Sequence, residues 1–299
     1  MSLTQDIRDA FSRRDNALNQ LIIINALVFA VLIILRAIFF IAQSGSYQFI
    51  MRWLALPSDF YSLVRHPWTL LTYAFVHEGF LHILFNMLNL YWFGQLIREY
   101  LGDRRLVSLY ILGALVGAVF FLLAYNFIPA LQPFVGQPVI GASASVTAVI
   151  VAAATLLPDF TFMLFIIGAV KIKWIAVAVV LISIAGINGG NPGGEITHLG
   201  GALLGFVFIK QLKAGRDMGA PVTAVGNWFS RLFSQGPGMR VTHRQPVATG
   251  ARSASGSAKS SGSAAGQDEI DLILDKISHS GYESLSKDEK QKLFRASQQ

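Results

Sequence analysis

Cysteine is absent from this chain. That excludes a disulfide framework, a thiolate metal site and a cysteine nucleophile. Charge is the second scarcity. Only 14% of the 299 residues are Asp, Glu, Lys or Arg, against about 25% in an average soluble domain. Hydrophobic residues supply 53%, so lipid, not water, is the expected solvent for much of the chain. The charge that is present is net positive, +7, and gathers in flanks and tails, as suits a protein resting against an anionic membrane face. No basic stripe interleaves with aromatics, so no nucleic-acid partner is expected. Residues 1–20 are polar, and the apolar run after them is too long for a signal-peptide core. That run reads as a retained first span.

Six apolar segments approach the roughly 20 residues that a membrane helix needs. They are 21–42, 81–97, 106–127, 140–157, 171–187 and 196–209. The second and sixth are short and carry histidine near their starts. A further apolar stretch, 160–170, is long enough only for an interfacial or re-entrant piece. Positive charge sets the orientation. Arg8, Arg13, Arg14, Arg98, Arg104, Arg105, Lys171, Lys173, Lys210, Lys213 and Arg216 flank one side. Only Arg52 and Arg65 flank the other. Both termini are therefore expected in the cytoplasm, with an even number of spans. Arg36, inside the first span, is expected to snorkel to the outer surface. The loop 43–67 mixes aromatics with charge and reads as interfacial helices. The loop 126–139 has three prolines and no charge, which would let it sit half in the membrane. The expected fold class is all-α: a polytopic membrane protein built as a six-transmembrane-helix bundle.

The organisation follows from composition. Residues 1–20 form a cytoplasmic N-terminal segment and 21–213 the membrane domain. In 214–236, Val225, Trp228, Phe229, Leu232 and Phe233 fall at helical spacing, which predicts an amphipathic helix on the inner leaflet. Residues 237–266 are rich in Ser, Gly and Ala and read as a disordered linker. The tail 267–299 regains order. Ile270, Ile273, Leu274 and Ile277 share a face, Gly281 breaks the helix, and Ser286 with Glu289 forms a capping box before Leu293 and Phe294. A hairpin this small lacks a core of its own and is expected to dock on an unidentified cytoplasmic partner.

Polar residues inside spans are costly and mark function. Three clusters stand out: His77, His82 and Asn86; Ser143 and Ser145; and His198. Each lies near the start of a span that begins outside, so topology puts all three at one depth. His82 and Asn86 are four apart and share a helix face. Ser143 opens a helix, where free N–H groups and the positive dipole end can hold an oxyanion. Gly201 and Gly205 follow His198 as a small-residue pair, and Ala144, Ala148 and Ala152 form a matching stripe. Their contact would bring Ser143 within reach of His198, the minimum for nucleophilic catalysis. Asp103 and Asp159 lie on the cytoplasmic side, and Glu78 and Glu195 read as outer-loop residues. A Ser–His dyad oriented by packing is therefore expected. Taken singly, each signal has a plain structural reading: a lone membrane serine usually bonds back to its own backbone, which is the expectation for Ser145.

At these residues the chain resembles the rhomboid family of intramembrane serine proteases, over about 68–212. The resemblance rests on His77-Glu78-Gly79-Phe80-Leu81-His82-Ile83-Leu84-Phe85-Asn86, then Gly94, Glu99, Gly102, Arg105 and Tyr110. It continues in Gly141-Ala142-Ser143 and in His198-Leu199-Gly200-Gly201 with Gly205. It implies Ser143 as nucleophile and His198 as general base. It implies His82, Asn86 and the Ser143 N–H as oxyanion donors, with His77, Gly141, Gly201 and Gly205 as structural neighbours. It further implies transmembrane protein substrates, a lipid bilayer as medium, no cofactor, no metal, and a bacterial inner membrane. The tail resembles one found on some bacterial rhomboid-like proteins. Three positions depart from the family pattern: Ala144 replaces a glycine, Thr147 an aromatic that stacks on the base, and Thr69 an arginine.

Other classes fit less well. An inactive relative that binds membrane helices is the main alternative, favoured by Ala144 and Thr147. A zinc protease would need histidines four apart around a glutamate, whereas His77 and His82 are five apart. A transporter would need charge in the bundle interior.

Overall fold

The structure, a computed structural model, describes residues 16–164, 168–233 and 264–296. Most of the expected N-terminal segment and linker lies outside the described residues. The chain forms two compact units, 1–236 and 237–299.

The first unit contains α1 (Ala17–Ile41), α2 (Ser46–Leu54), α3 (Phe60–Arg65) and α4 (Thr69–Thr72), which runs into a 3-10 turn, Tyr73–Phe75. Then come α5 (Phe80–Leu101), α6 (Asp103–Phe127), a second 3-10 turn (Pro129–Phe134) and α7 (Ser143–Leu156). Strands β1 (Thr161–Leu164) and β2 (Gly168–Lys171) precede α8 (Ile172–Gly186), α9 (Pro192–Lys213) and α10 (Ala220–Phe233). Each of the six expected spans is a helix, and the fold is an all-α membrane bundle with one small hairpin. Three helices, α1, α5 and α6, are long and apolar enough to cross a membrane. Helix α7 is apolar but has only 14 residues. At 1.5 Å per residue it reaches about 21 Å, short of a hydrocarbon core about 30 Å thick. A helix that short, with one end at an interface, has its other end below the opposite surface.

Helix α7 is the centre of the bundle, and Ala144 through Ala154 are buried. Lipid supplies no hydrophobic drive between helices, so close backbone packing takes its place. From α9, a Cβ at Gly201 would collide with the Ala144 carbonyl oxygen and one at Gly205 with that of Ala148. From α6, a Cβ at Gly113 would lie 2.8 Å from the Ala148 Cβ, and one at Gly117 2.7 Å from that of Ala144. The periphery is the reverse of a soluble protein: Val31, Ile34, Ile38 and Phe40 of α1 and Leu181, Ile182 and Ile184 of α8 are exposed. A buried polar chain ties the elements together. Asn25 Nδ2 donates to Tyr110 Oη at 3.0 Å, and Tyr110 Oη donates to the Ala74 carbonyl at 2.8 Å. Tyr73 Oη donates to the Ala114 carbonyl at 2.7 Å.

Several local expectations change. The stretch 160–170 contains an antiparallel hairpin in which Thr161 pairs with Lys171. Asp159 closes it by accepting from Lys171 and Lys173 at 3.0 and 2.9 Å. Helix α1 begins at Ala17, inside the expected N-terminal segment. Helix α9 begins at Pro192, four residues ahead of the apolar run. Glycine is a poor helix former, so Gly193-Gly194 reads as loop. Yet Asn191 Oδ1 caps the Gly194 N–H at 3.0 Å, and proline at the first helical position loses no bond. Glu195 is therefore in the first turn of a helix, not in an outer loop. The loop 43–67 forms α2 and α3, and Trp53 stacks on Trp68 with centroids 5.2 Å apart. The loop 126–139 is tied to it, with Leu56 and Val139 exchanging backbone bonds of 3.0 and 2.9 Å. Helix α10 exposes Val225, Trp228, Phe229 and Leu232.

The second unit is a helical hairpin: α11 (Ala264–Ser280), a 3-10 turn (Tyr282–Ser284) and α12 (Lys287–Ala296). Its first helix starts inside the stretch expected to be linker. Ile273 and Leu285 are buried, and Lys276 donates to Glu289 at 2.9 Å. The capping box is formed: Ser286 N–H donates to Glu289 Oε2 at 2.7 Å and Glu289 N–H to Ser286 Oγ at 3.3 Å.

Candidate active site

The start of α7 is built against the entry to α5. The Gly141 N–H donates to the Tyr73 carbonyl at 2.9 Å. Gly141 has φ +122°, a conformation that side chains disfavour. It also has no room for one: a Cβ there would lie 2.7 Å from His82 Nε2 and 3.7 Å from Ser143 Oγ. The His82 ring and the Ser143 hydroxyl thus border the same small space. The first α-helical bond of α7 is Val146 N–H to the Ala142 carbonyl, 2.9 Å. The Ser143 and Ala144 N–H groups therefore have no acceptor within the helix.

His77 is fully buried. Its Nε2 accepts from the Ala142 N–H at 3.3 Å, so that nitrogen carries a lone pair, and neutral His77 holds its proton on Nδ1. Asn86 Nδ2 lies 3.0 Å from the His82 carbonyl and 3.4 Å from His77 Nε2. One amide hydrogen is held by the His82 carbonyl, and the other can only share the single Nε2 lone pair of His77 with the Ala142 N–H, so it is the one Asn86 can turn to an oxyanion. The His82 ring, packed edge-on to His77 with centroids 4.9 Å apart, makes no hydrogen bond among the described residues. Glu78 turns away and accepts from Tyr47 of α2 at 3.2 Å. Burial, then the Glu78 charge, pushes the Tyr47 phenol up to about 12.

His198 stands on the second turn of α9. Its Nδ1 lies 3.1 Å from Ser183 Oγ of α8 and 3.2 Å from Glu195 Oε2, one turn earlier. The expectation that packing alone orients this histidine is therefore corrected: a carboxylate and a hydroxyl both reach it. The signals were there in the sequence. Glu195 and His198 have i,i+3 spacing once α9 begins at Pro192, and Ser183 is the one hydroxyl in an apolar helix. The contact of Gly201 with Ala144 brings the turns bearing His198 and Ser143 together. Ser143 and His198 share no direct hydrogen bond here; such bonds often align only when substrate is engaged. Ser145 is fully buried, and its Oγ donates to the Tyr110 carbonyl of α6 at 2.7 Å, not to its own helix. Thr147 is buried, and among the described residues no aromatic ring stacks on His198. Among the described residues, no group of three His, Asp or Glu side chains has metal-site geometry.

The site thus combines a hydroxyl at a helix N-terminus, unpaired N–H groups beside it, an imidazole facing the same space, and a second, hydrogen-bonded imidazole on the adjoining helix. Acyl transfer needs these groups: nucleophile, oxyanion donors and base.

Known proteins resemble this chain in sequence. RHOMBOID-like protein 12, mitochondrial, of Arabidopsis thaliana is 33% identical over 158 residues, 50% of this chain and 47% of that protein. Rhomboid protease GlpG of Pectobacterium atrosepticum is 31% identical over 90 residues, 30% of this chain and 32% of that protein. Rhomboid protein 1, mitochondrial, of Saccharomyces cerevisiae is 29% identical over 212 residues, 68% of this chain and 58% of that protein. The chain spans about half or less of the first two relatives' lengths. Residues 262–299 match a family of unknown function, DUF6576. The family model described as Rhomboid domain matches residues 64–213. That stretch is half of the chain and runs from α3 to the last residue of α9: the chain belongs to the rhomboid family.

Proposed function

We propose that the chain is a serine endopeptidase that cuts the transmembrane helices of other membrane proteins within the bilayer. The observation that carries this reading is the first turn of α7. There a partly exposed Ser143 opens a short helix that is buried from Ala144 to Ala154, with His82 across Gly141 and the His198 turn of α9 in backbone contact. A substrate helix enters from the lipid and unwinds. His198 Nε2 takes the Ser143 proton as Oγ bonds to the scissile carbonyl carbon. His82, the N–H of Ser143 and a released Asn86 amide hold the oxyanion. His198 returns the proton to the leaving amine as the C–N bond breaks. Water then hydrolyses the acyl-enzyme. A cavity of about 320 Å³ is bordered by Arg36, Tyr47, Met51, Glu78 and Ile140, the residue before Gly141 in the chain. We place both termini on the cytoplasmic side, on the asymmetry of Lys and Arg, and the protein in a bacterial inner membrane, on the resemblance of the tail to that of some bacterial rhomboid-like proteins.

A second reading, a binder of membrane helices without turnover, draws on Thr147 and on the engaged amide of Asn86. Treatment of the full chain in detergent with a fluorophosphonate separates the two. The expected result is covalent label on Ser143 alone, located by mass spectrometry and lost in His198→Ala. Folded wild type that takes no label, or takes it on Ser145, contradicts the protease reading.

A further inference from the structure

We propose that Glu195, assisted by Ser183, is a positioning residue that fixes the tautomer and direction of the His198 ring. The inference rests on the protease reading above and adds a third and fourth member to its dyad. Glu195 Oε2 and Ser183 Oγ lie 3.2 and 3.1 Å from the same ring nitrogen, Nδ1. They arrive from different elements, α9 and α8, so they fix the ring from two directions. An ionised carboxylate only accepts. Nδ1 must then carry the proton, which leaves the lone pair on Nε2, the nitrogen free to act as base. This matches the role of the carboxylate in a serine-protease triad, which holds its histidine in one tautomer.

The carboxylate has a built position. It lies in the first turn of a 22-residue helix, where the dipole favours negative charge. Gly186, at the end of α8, forms its wall: a Cβ there would lie 2.8 Å from Glu195 Cδ and 2.9 Å from Oε1. The other carboxylate near the site, Glu78, is taken by Tyr47. The imidazole also has need of an anchor. Position 147 carries threonine, and no ring stacks on His198 among the described residues, so no aromatic face fixes its orientation.

Two measurements on the full-length protein in detergent test the proposal. The first is the ¹⁵N spectrum of labelled histidine side chains, with the His198 signal assigned by its loss in His198→Ala. Wild type is expected to show the Nδ1–H tautomer and Glu195→Gln to lose it. The second is steady-state cleavage of a transmembrane reference substrate. Glu195→Gln is expected to lower kcat roughly 10- to 100-fold, the worth of a charge-assisted hydrogen bond, at unchanged KM. Glu195→Asp should recover part of the loss, and Ser183→Ala should show a smaller defect. If Glu195→Gln does not fold, Gly186→Ala carries both measurements, because it crowds the carboxylate without removing it. An Nε2–H tautomer in wild type, or a folded Glu195→Gln with wild-type kcat, overturns the proposal. Wild type with the expected tautomer but no cleavage leaves the positioning contact standing and removes the protease reading instead.

Discussion

Ser143 and Ser145 differ by two positions on one helix and face opposite sides of it. Ser143 is partly exposed beside His82, while Ser145 spends its hydroxyl on the Tyr110 carbonyl at 2.7 Å. Ser145→Ala removes one buried interhelical bond and no reacting group. It is expected to cost about 1 kcal/mol of stability and to keep most cleavage activity. Unfolding in detergent and a cleavage rate check this; loss of turnover in folded Ser145→Ala would show that it is more than a tie between α6 and α7. The same contrast shows what sequence can tell. Ser143, His82, Asn86 and His198 are legible because a polar group in an apolar run demands a reason. The bond of Ser145 to another helix is not, since the hydroxyl could equally bond its own backbone. Nor is the tie between Asn86 and His77, which depends on a chain path not written in residue spacing.

At the scale of helices, contact between α7 and α9 is what brings the turns bearing Ser143 and His198 together. Gly201 touches the Ala144 carbonyl, so any side chain there forces the helices apart. Overpacking costs about 1–3 kcal/mol, and a shift of ~1 Å in a catalytic group can cost ~100-fold in rate. Gly201→Val is expected to lose most activity and to unfold more readily in detergent. Phe206→Ala, on the exposed face of α9, should be milder. A Gly201→Val protein that cleaves as wild type would remove the α7–α9 contact from the mechanism. The six spans were legible from apolar run length, and the α7–α9 contact from its small residues at four-residue spacing. The ends were less so. Helix α9 starts four residues early because a cap and a proline outweigh two glycines, and that shift carries Glu195 from a loop into hydrogen-bond reach of His198. The hairpin of β1 and β2 was not legible either, because an apolar run of that length suits a strand, a helix or a re-entrant piece alike.

For the whole molecule, the depth of the site and its side of the membrane matter together. Helix α7 is about 9 Å shorter than the hydrocarbon core, so a Ser143 end facing outward is submerged but near water. Reporter fusions after Gly219 are expected to read as cytoplasmic; an external reading would invert the bundle and put the site at the inner face. The protease reading itself is decided by one comparison. Purified wild type and Ser143→Ala are reconstituted in vesicles with a single-span protein substrate, and product is followed over time. The expected result is cleavage by wild type and background product from Ser143→Ala, with both proteins folded to the same unfolding midpoint. Equal cleavage by folded Ser143→Ala, or none by wild type across a panel of single-span substrates, would contradict it.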